Sequence, residues 1–371
     1  MSEEIKQKEA FQNRFQMRED RFEGEVVERV AVKEIPVIDV GALVDDSSTL
    51  DARKRVASEI RTACINSGFF YIANYGVSVD EMDEAIDWSR RFFNLPREIK
   101  EKYRNADISK GRSYNDSEKI TPGYEPDYKE YYDMGLELKD ERFGVDERGA
   151  VFWPDEDMPG FKEFFRTHIR RMVGIGQKMA RGFALSLDLE ETFFDPAFDP
   201  PYLNFRPSYY PPARNALKAN RWSCGPHTDY MAFTMLYQDD VGGLEVMNLD
   251  GDWIPATPIK GTQVFNIADM MSSWTNDLYA STPHRVANRS PDKDRISLAS
   301  FMGPNSDFLV ECLDSCKSDT NPARYPPITT HQHVMNIFKE SLPEEMIKDV
   351  KTDATAATEM FRDSDRIGSK A

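Results

Sequence analysis

His227-Thr228-Asp229 is the triplet in this chain best suited to chemistry. Residues i and i+2 of a β strand point to one face, so a strand opening here would aim an imidazole and a carboxylate at one point. His284 lies further on in a β-rich run, Thr282-Pro283-His284-Arg285-Val286. From a strand packed across a rolled sheet, it would complete a facial set of two imidazoles and one carboxylate. That set suits Fe(II) and leaves three positions of an octahedral ion open, enough for a chelating co-substrate and O2. His-x-Asp alone is weak, but the chain has only five His, so a second one in β context carries weight.

Other clusters compete less well. Cys224, three residues before His227, hints at a soft zinc site, yet Cys312 and Cys316 lack a matching spacing, and Cys224 reads as a small buried residue. His331-Gln332-His333 falls at a helix start, where i and i+2 diverge, and reads as surface. His168 reads as the polar edge of a packed helix face. The sequence contains no Walker-type or dinucleotide-type glycine loop and no Gly-x-Ser-x-Gly.

A second constellation follows His284. In Arg295-Ile296-Ser297-Leu298-Ala299-Ser300-Phe301, period 2 places Arg295, Ser297, Ala299 and Phe301 on one face. A guanidinium fork with a hydroxyl two residues along is a good receptor for a terminal carboxylate. Set behind the metal, it would hold the far end of 2-oxoglutarate while the keto-acid end chelates iron. Tyr210, in Ser208-Tyr209-Tyr210-Pro211-Pro212, is placed to add a hydrogen bond, or else to serve as a core aromatic.

These side chains need elements to position them. The 371 residues are 40% hydrophobic and 12% aromatic, which is ample for a core. Lys and Arg total 47 against 64 Asp and Glu, a net charge of −17 that repels phosphate backbones and anionic lipid. The expectation is therefore no nucleic acid and no membrane partner, but a small-molecule substrate. No apolar run approaches the roughly 20 residues of a spanning helix, the start lacks a secretory pattern, and four Cys make no disulfide framework. A cytoplasmic monomer is expected.

Residues 1–30 read as a charged, partly disordered arm, with Phe11, Phe15 and Phe22 spaced as on one helix face. Residues 31–200 read as helices and strands packing on a core. A strand is expected at Ile35–Val40, helices over Asp51–Ser67 and Val79–Phe93, a buried strand at Phe69–Ile72 and a long helix over Phe161–Leu187. Residues 104–160 look irregular, as a lid would. From Tyr202 the period switches to 2, with turns at Val241-Gly242-Gly243, Asp250-Gly251, Lys260-Gly261 and Ser290-Pro291-Asp292, which argues for a β jelly roll over 201–310. Residues 311–371 form a C-terminal helix from His331 to Phe338 and a polar tail.

Taken together, these residues resemble the isopenicillin-N-synthase-like branch of the 2-oxoglutarate- and Fe(II)-dependent dioxygenases. The resemblance spans roughly residues 35–340. It rests on Ile35-Pro36-Val37-Ile38-Asp39, Ser67-Gly68-Phe69-Phe70-Tyr71, Phe92-Phe93-Asn94-Leu95-Pro96, Tyr209-Tyr210-Pro211-Pro212, His227-Thr228-Asp229-Tyr230, Gly242-Gly243-Leu244-Glu245-Val246, Ser281-Thr282-Pro283-His284-Arg285-Val286 and Arg295-Ile296-Ser297. It implies an α+β fold dominated by β, a distorted double-stranded β-helix flanked by N-terminal helices, with a C-terminal segment that helps close its mouth. It implies that His227, Asp229 and His284 bind iron, that Arg295 and Ser297, assisted by Tyr210, bind 2-oxoglutarate, and that Arg206 and Phe301 face the substrate. Two positions depart from the family pattern: Ala268 in Asn266-Ile267-Ala268-Asp269, and Ser208 where Asn is common.

The implied activity consumes O2 and 2-oxoglutarate, releases succinate and CO2, and hydroxylates, desaturates or cyclises a small metabolite, in a biosynthetic pathway. Three alternatives remain at this point. One is an Fe(II) oxidase of the isopenicillin N synthase or aminocyclopropane-carboxylate oxidase type, which uses no 2-oxoglutarate. The others are an ethylene-forming variant and a non-catalytic binding module built on the same roll.

Overall fold

The computed structural model describes residues 20–22, 25–104, 112–118, 126–137, 139–140, 144–145, 151–215 and 222–341. Four helices matter to the site: α1 (Leu50–Asn66), α2 (Val79–Phe93), α3 (Phe161–Ser186) and α4 (Thr330–Ser341). Each of the first two starts where a hydroxyl can satisfy a free amide. Thr49 accepts from Ala52 N at 3.2 Å, and Ser78 accepts from Glu81 N at 3.2 Å. In α2, Asp80 and Glu81 occupy the first turn and Arg90 and Arg91 the last, which suits the helix dipole at both ends.

The strands are β1 (Val37–Asp39), β2 (Phe69–Ala73), β3 (Tyr114–Asn115), β4 (Glu130–Tyr132), β5 (Met134–Gly135), β6 (Tyr202–Tyr210), β7 (Cys224–His227), β8 (Phe233–Gln238), β9 (Leu244–Met247), β10 (Trp253–Pro255), β11 (Thr262–Ile267), β12 (His284–Val286) and β13 (Arg295–Gly303). A large sheet runs β1-β2-β11-β8-β13-β6-β4-β3, with β5 beside β6; a small sheet runs β7-β12-β9-β10. The two face each other as the leaves of a double-stranded β-helix, and the expected jelly roll is borne out.

The large sheet has its outer face covered by α3. Phe183 packs on Phe233 and Phe265 with ring centroids 5.6 Å apart in each case, and Phe165, Met172 and Met179 are buried along the same stripe. α1 packs in turn on α3. The inner face borders a cavity that holds the polar residues described below.

One corner links this helical layer to the small sheet. Gly68 adopts φ +64° between α1 and β2, and a Cβ there would collide with the Ala280 carbonyl oxygen. Ala280 N donates to Cys64 O at 2.9 Å and Thr282 Oγ1 to Ser67 O at 2.6 Å, fixing the segment that leads into His284.

Several expectations need correction. His227 ends β7, and Asp229 lies in the bend after it, so the two do not share an opening strand. Phe22 lies on a short strand, Asp20–Phe22, paired with Glu25–Val27, not on a helix; Phe11 and Phe15 lie outside the described residues. Within 104–160, the described residues include β3, β4 and β5, which extend the large sheet; the rest of the expected irregular segment lies partly outside the described residues. His168 is no polar edge: it is 1% exposed among Phe164, Phe165 and Phe205. His333 is half-buried, with its Nε2 2.7 Å from the Tyr230 carbonyl oxygen, docking α4 on the loop that follows Asp229.

Candidate metal centre and co-substrate pocket

β7 and β12 pair so that His227 stands directly opposite His284, with ring centroids 4.3 Å apart. His227 Nδ1 lies 2.7 Å from Gly225 O, and His284 Nδ1 lies 3.2 Å from Thr282 O. A carbonyl only accepts, so each ring carries its proton on Nδ1 and presents the Nε2 lone pair. Both Nε2 atoms lie 3.6 Å from Asp229 Oδ1. One donor atom from each of the three residues falls within 4.8 Å of the others.

The bend brings Asp229 into this group because three bonds hold it. Asp269 N donates to Asp229 O at 2.9 Å, Thr234 Oγ1 to Asp229 Oδ2 at 2.6 Å, and Asn266 Nδ2 to the same oxygen at 2.8 Å. Asp229 therefore has one oxygen tied to the large sheet and the other facing the imidazoles. Burial opposes its charge, but His284, His227 and the two side-chain donors outweigh it and hold the carboxyl below the usual range. Burial, aided by His227, pushes His284 down to about 4, so its imidazole is neutral near pH 7. Two imidazoles presenting Nε2 and one carboxylate within reach of a single point are a donor set fit for Fe(II).

Below this triad runs a polar column. β6 and β13 pair Ser208 with Ser297 and Tyr210 with Arg295, and all four residues line the same pocket as the triad. Arg295 is fully buried. Its Nη2 donates to Gln238 Oε1 at 3.0 Å and its guanidinium lies 4.8 Å from the Tyr210 ring centroid, yet among the described residues Nε and Nη1 have no hydrogen-bond partner. A buried guanidinium with two idle donors is costly unless an anion completes it, and a carboxylate fits the fork. That observation meets the requirement of 2-oxoglutarate, whose distal carboxylate needs such a receptor.

Arg206 and Phe301 also line the pocket. Arg206 is engaged, with Nε 2.6 Å and Nη2 2.8 Å from Asp133, Nη1 2.9 Å from Glu118, and its plane 3.9 Å from the Tyr131 ring centroid. Lys129, a buried pocket residue that the sequence did not flag, lies 2.7 Å from Glu118, 3.3 Å from Asp127 and 3.2 Å from Cys224 Sγ. Cys224 is buried, as expected. Thr234, Asn266, Gln238 and Lys129 were not picked out because their roles depend on partners far away in sequence. Only Asn266 lay in a segment already noticed.

Residues 35–156 match the family described as non-haem dioxygenase in morphine synthesis, N-terminal, and residues 202–304 match the 2OG-Fe(II) oxygenase superfamily. The chain is 36% identical over 300 residues to a homoarginine-6-hydroxylase of Arabidopsis thaliana, covering 77% of this chain and 89% of that one. It is 31% identical over 308 residues to a 2-oxoglutarate-Fe(II) type oxidoreductase of Aspergillus fumigatus, covering 81% and 90%. It resembles the crystal structure of a Neurospora crassa protein in complex with alpha-KG and thymine, with TM-score 0.73 and 26% identity over 82% of this chain and 96% of that one. The rolled sheets and the three-donor centre define a non-haem iron oxygenase. The chain belongs to the 2OG-Fe(II) oxygenase superfamily. It is an oxidoreductase with Fe(II) as cofactor and 2-oxoglutarate and O2 as co-substrates.

Proposed function

We propose that His227, Asp229 and His284 hold Fe(II), that Arg295 with Ser297 and Tyr210 holds the distal carboxylate of 2-oxoglutarate, and that the enzyme oxidises a small metabolite, by hydroxylation, desaturation or ring closure, in a biosynthetic pathway. The idle donors of buried Arg295, one column below the three convergent ligands, are the observation that carries this reading. Bound Fe(II) with 2-oxoglutarate and O2 supplies the oxidising chemistry, with succinate and CO2 as co-products. The chain's own residues do the rest. Thr234 and Asn266 orient one carboxylate oxygen, the carbonyls of Gly225 and Thr282 set the imidazole tautomers, and Arg295 fixes the co-substrate's far end. The apolar wall of Phe69, Leu236, Leu244 and Val286 keeps water from the reacting centre.

Arg206 and Phe301 form the substrate-facing wall in this reading. The net charge of −17 supports a small-molecule substrate over nucleic acid. Among the described residues, no helix is long and apolar enough to cross a membrane. A cytoplasmic monomer is the state we propose.

Adding 2-oxoglutarate anaerobically to the Fe(II)-loaded protein is expected to give a weak visible metal-to-ligand band, and admission of O2 to release succinate. Arg295→Ala is expected to raise the 2-oxoglutarate concentration for half-maximal succinate release about 10–100-fold, the loss of a charge-assisted hydrogen-bonded pair. An unchanged requirement would remove Arg295 from the site.

A further inference from the structure

On the reading just given, the substrate still needs a grip at the open end of the roll. The sheet register offers a place for one. Across the large sheet, Asn204 opposes Phe301, Phe301 opposes Thr234, and Thr234 opposes Asn266. This row ends on the two residues that hold Asp229. Asn204 is two strands from Thr234, on the order of 10 Å at the usual strand spacing.

Asn204 is 5% exposed, and its Nδ2 donates to Asp133 Oδ1 at 3.0 Å. A carboxylate accepts only, so this bond fixes the amide's orientation. It leaves Oδ1 as a buried acceptor with no donor among the described residues.

The strand neighbour of Asn204 on its other side is Gly135. A Cβ at Gly135 would collide with the guanidinium of Arg112, which therefore occupies the place of a side chain at that position. Arg112 lies 5.4 Å from the centroid of the Tyr202 ring, two residues before Asn204 on the same face. Among the described residues no carboxylate pairs with it. By contrast, the deeper cations, Arg206 and Lys129, are already compensated by Asp133, Glu118 and Asp127.

Among the described residues, this end of the row thus offers an uncompensated guanidinium beside an unfilled acceptor, with the Asp133 carboxylate next to that acceptor. We infer that Arg112 and Asn204 grip the α-amino-acid end of the substrate. The carboxylate lies on Arg112 and the ammonium on Asn204 Oδ1 near Asp133. The side chain runs past Phe301 towards the metal ligands. The roughly 10 Å between Asn204 and Thr234 calls for a long side chain, so a distal carbon is the one presented for oxidation.

The test is a binding titration under argon on protein loaded with Fe(II) and 2-oxoglutarate, using three probes matched in chain length: L-norleucine, hexanoate and pentylammonium. Norleucine is expected to bind at least tenfold more tightly than either of the others. Arg112→Gln should weaken norleucine at least tenfold and leave pentylammonium within twofold. Gly135→Ala, which keeps Arg112 but fills its seat, should weaken norleucine likewise, and Asn204→Leu should weaken norleucine and pentylammonium together. The visible band of the Fe(II)–2-oxoglutarate complex, recorded in each sample, reports an intact centre independently. Its absence from the unaltered protein would overturn the co-substrate reading instead. Norleucine binding no tighter than hexanoate or pentylammonium, or unchanged by Arg112→Gln in a sample that keeps the band, would overturn the amino-acid site.

Discussion

Asp229 is the residue on which two sheets agree. One oxygen faces the imidazoles, and the other takes two hydrogen bonds from strands of the large sheet. Partners of this kind orient a metal ligand, and their loss commonly costs about 10–100-fold in metal affinity. Thr234→Val removes one donor at constant shape and is expected to weaken Fe(II) binding by about that range in an anaerobic titration, while the fold is retained. An affinity within twofold of the parent would show that Asn266 suffices. His227 and His284 were readable in advance, because two of five histidines in β-rich runs carry information that local pattern can hold. Thr234 and Gln238 were not, because their value arises only where a distant strand pairs with theirs.

The elements fall on both sides of the same line. The helix expected over Val79–Phe93 is α2 over those residues, since its apolar steps, hydroxyl cap and charged ends all agree. The strand expected to open at His227 failed because three residues of alternation cannot distinguish the end of a strand from the bend after it. In α3, a polar residue on an apolar stripe looked like an edge. Yet His168 is enclosed by three phenylalanines, and among the described residues neither ring nitrogen finds a hydrogen-bond partner, although Glu81 lies 3.4 Å from Nδ1. Burial pushes its pKa down to about 4. Between about pH 6.5 and 4 the unfolded chain binds a proton that the folded chain refuses, so stability falls as pH falls through that window. The loss is roughly 2–4 kcal/mol, and His168→Leu is expected to remove that share of the acid sensitivity in urea melts at about pH 7 and pH 4.5. An identical pH dependence in the variant would mean that His168 is not the group responsible.

For the molecule as a whole, the centre exists only when both sheets and the helical layer are assembled. Gly68 is the joint, since its left-handed backbone lets α1 and β2 meet the Ala280 segment that feeds His284. Gly68→Ala should cost about 2 kcal/mol or more from backbone strain and the forced shift at Ala280, read as a lowered urea midpoint, and should weaken iron binding with it. A redox-inert divalent ion such as Zn(II) at about 100 times its dissociation constant should add about 2.7 kcal/mol. For a chain of this length that is a rise in Tm of about 3–4 °C, reversed by chelator and absent in His284→Ala. No rise would separate the three ligands from any common ion.

The histidines sit on strands of three and four residues, while the carboxylate is tied into strands of six in the broad sheet. An ion bound among them would act as a rivet between a stiff plate and a slight one. Without it, the slight plate should be first to breathe, and its amides should exchange with solvent while those of the broad plate stay shut. A cell short of iron would then hold this enzyme ajar on one side only, still folded and ready to be clinched when metal returns.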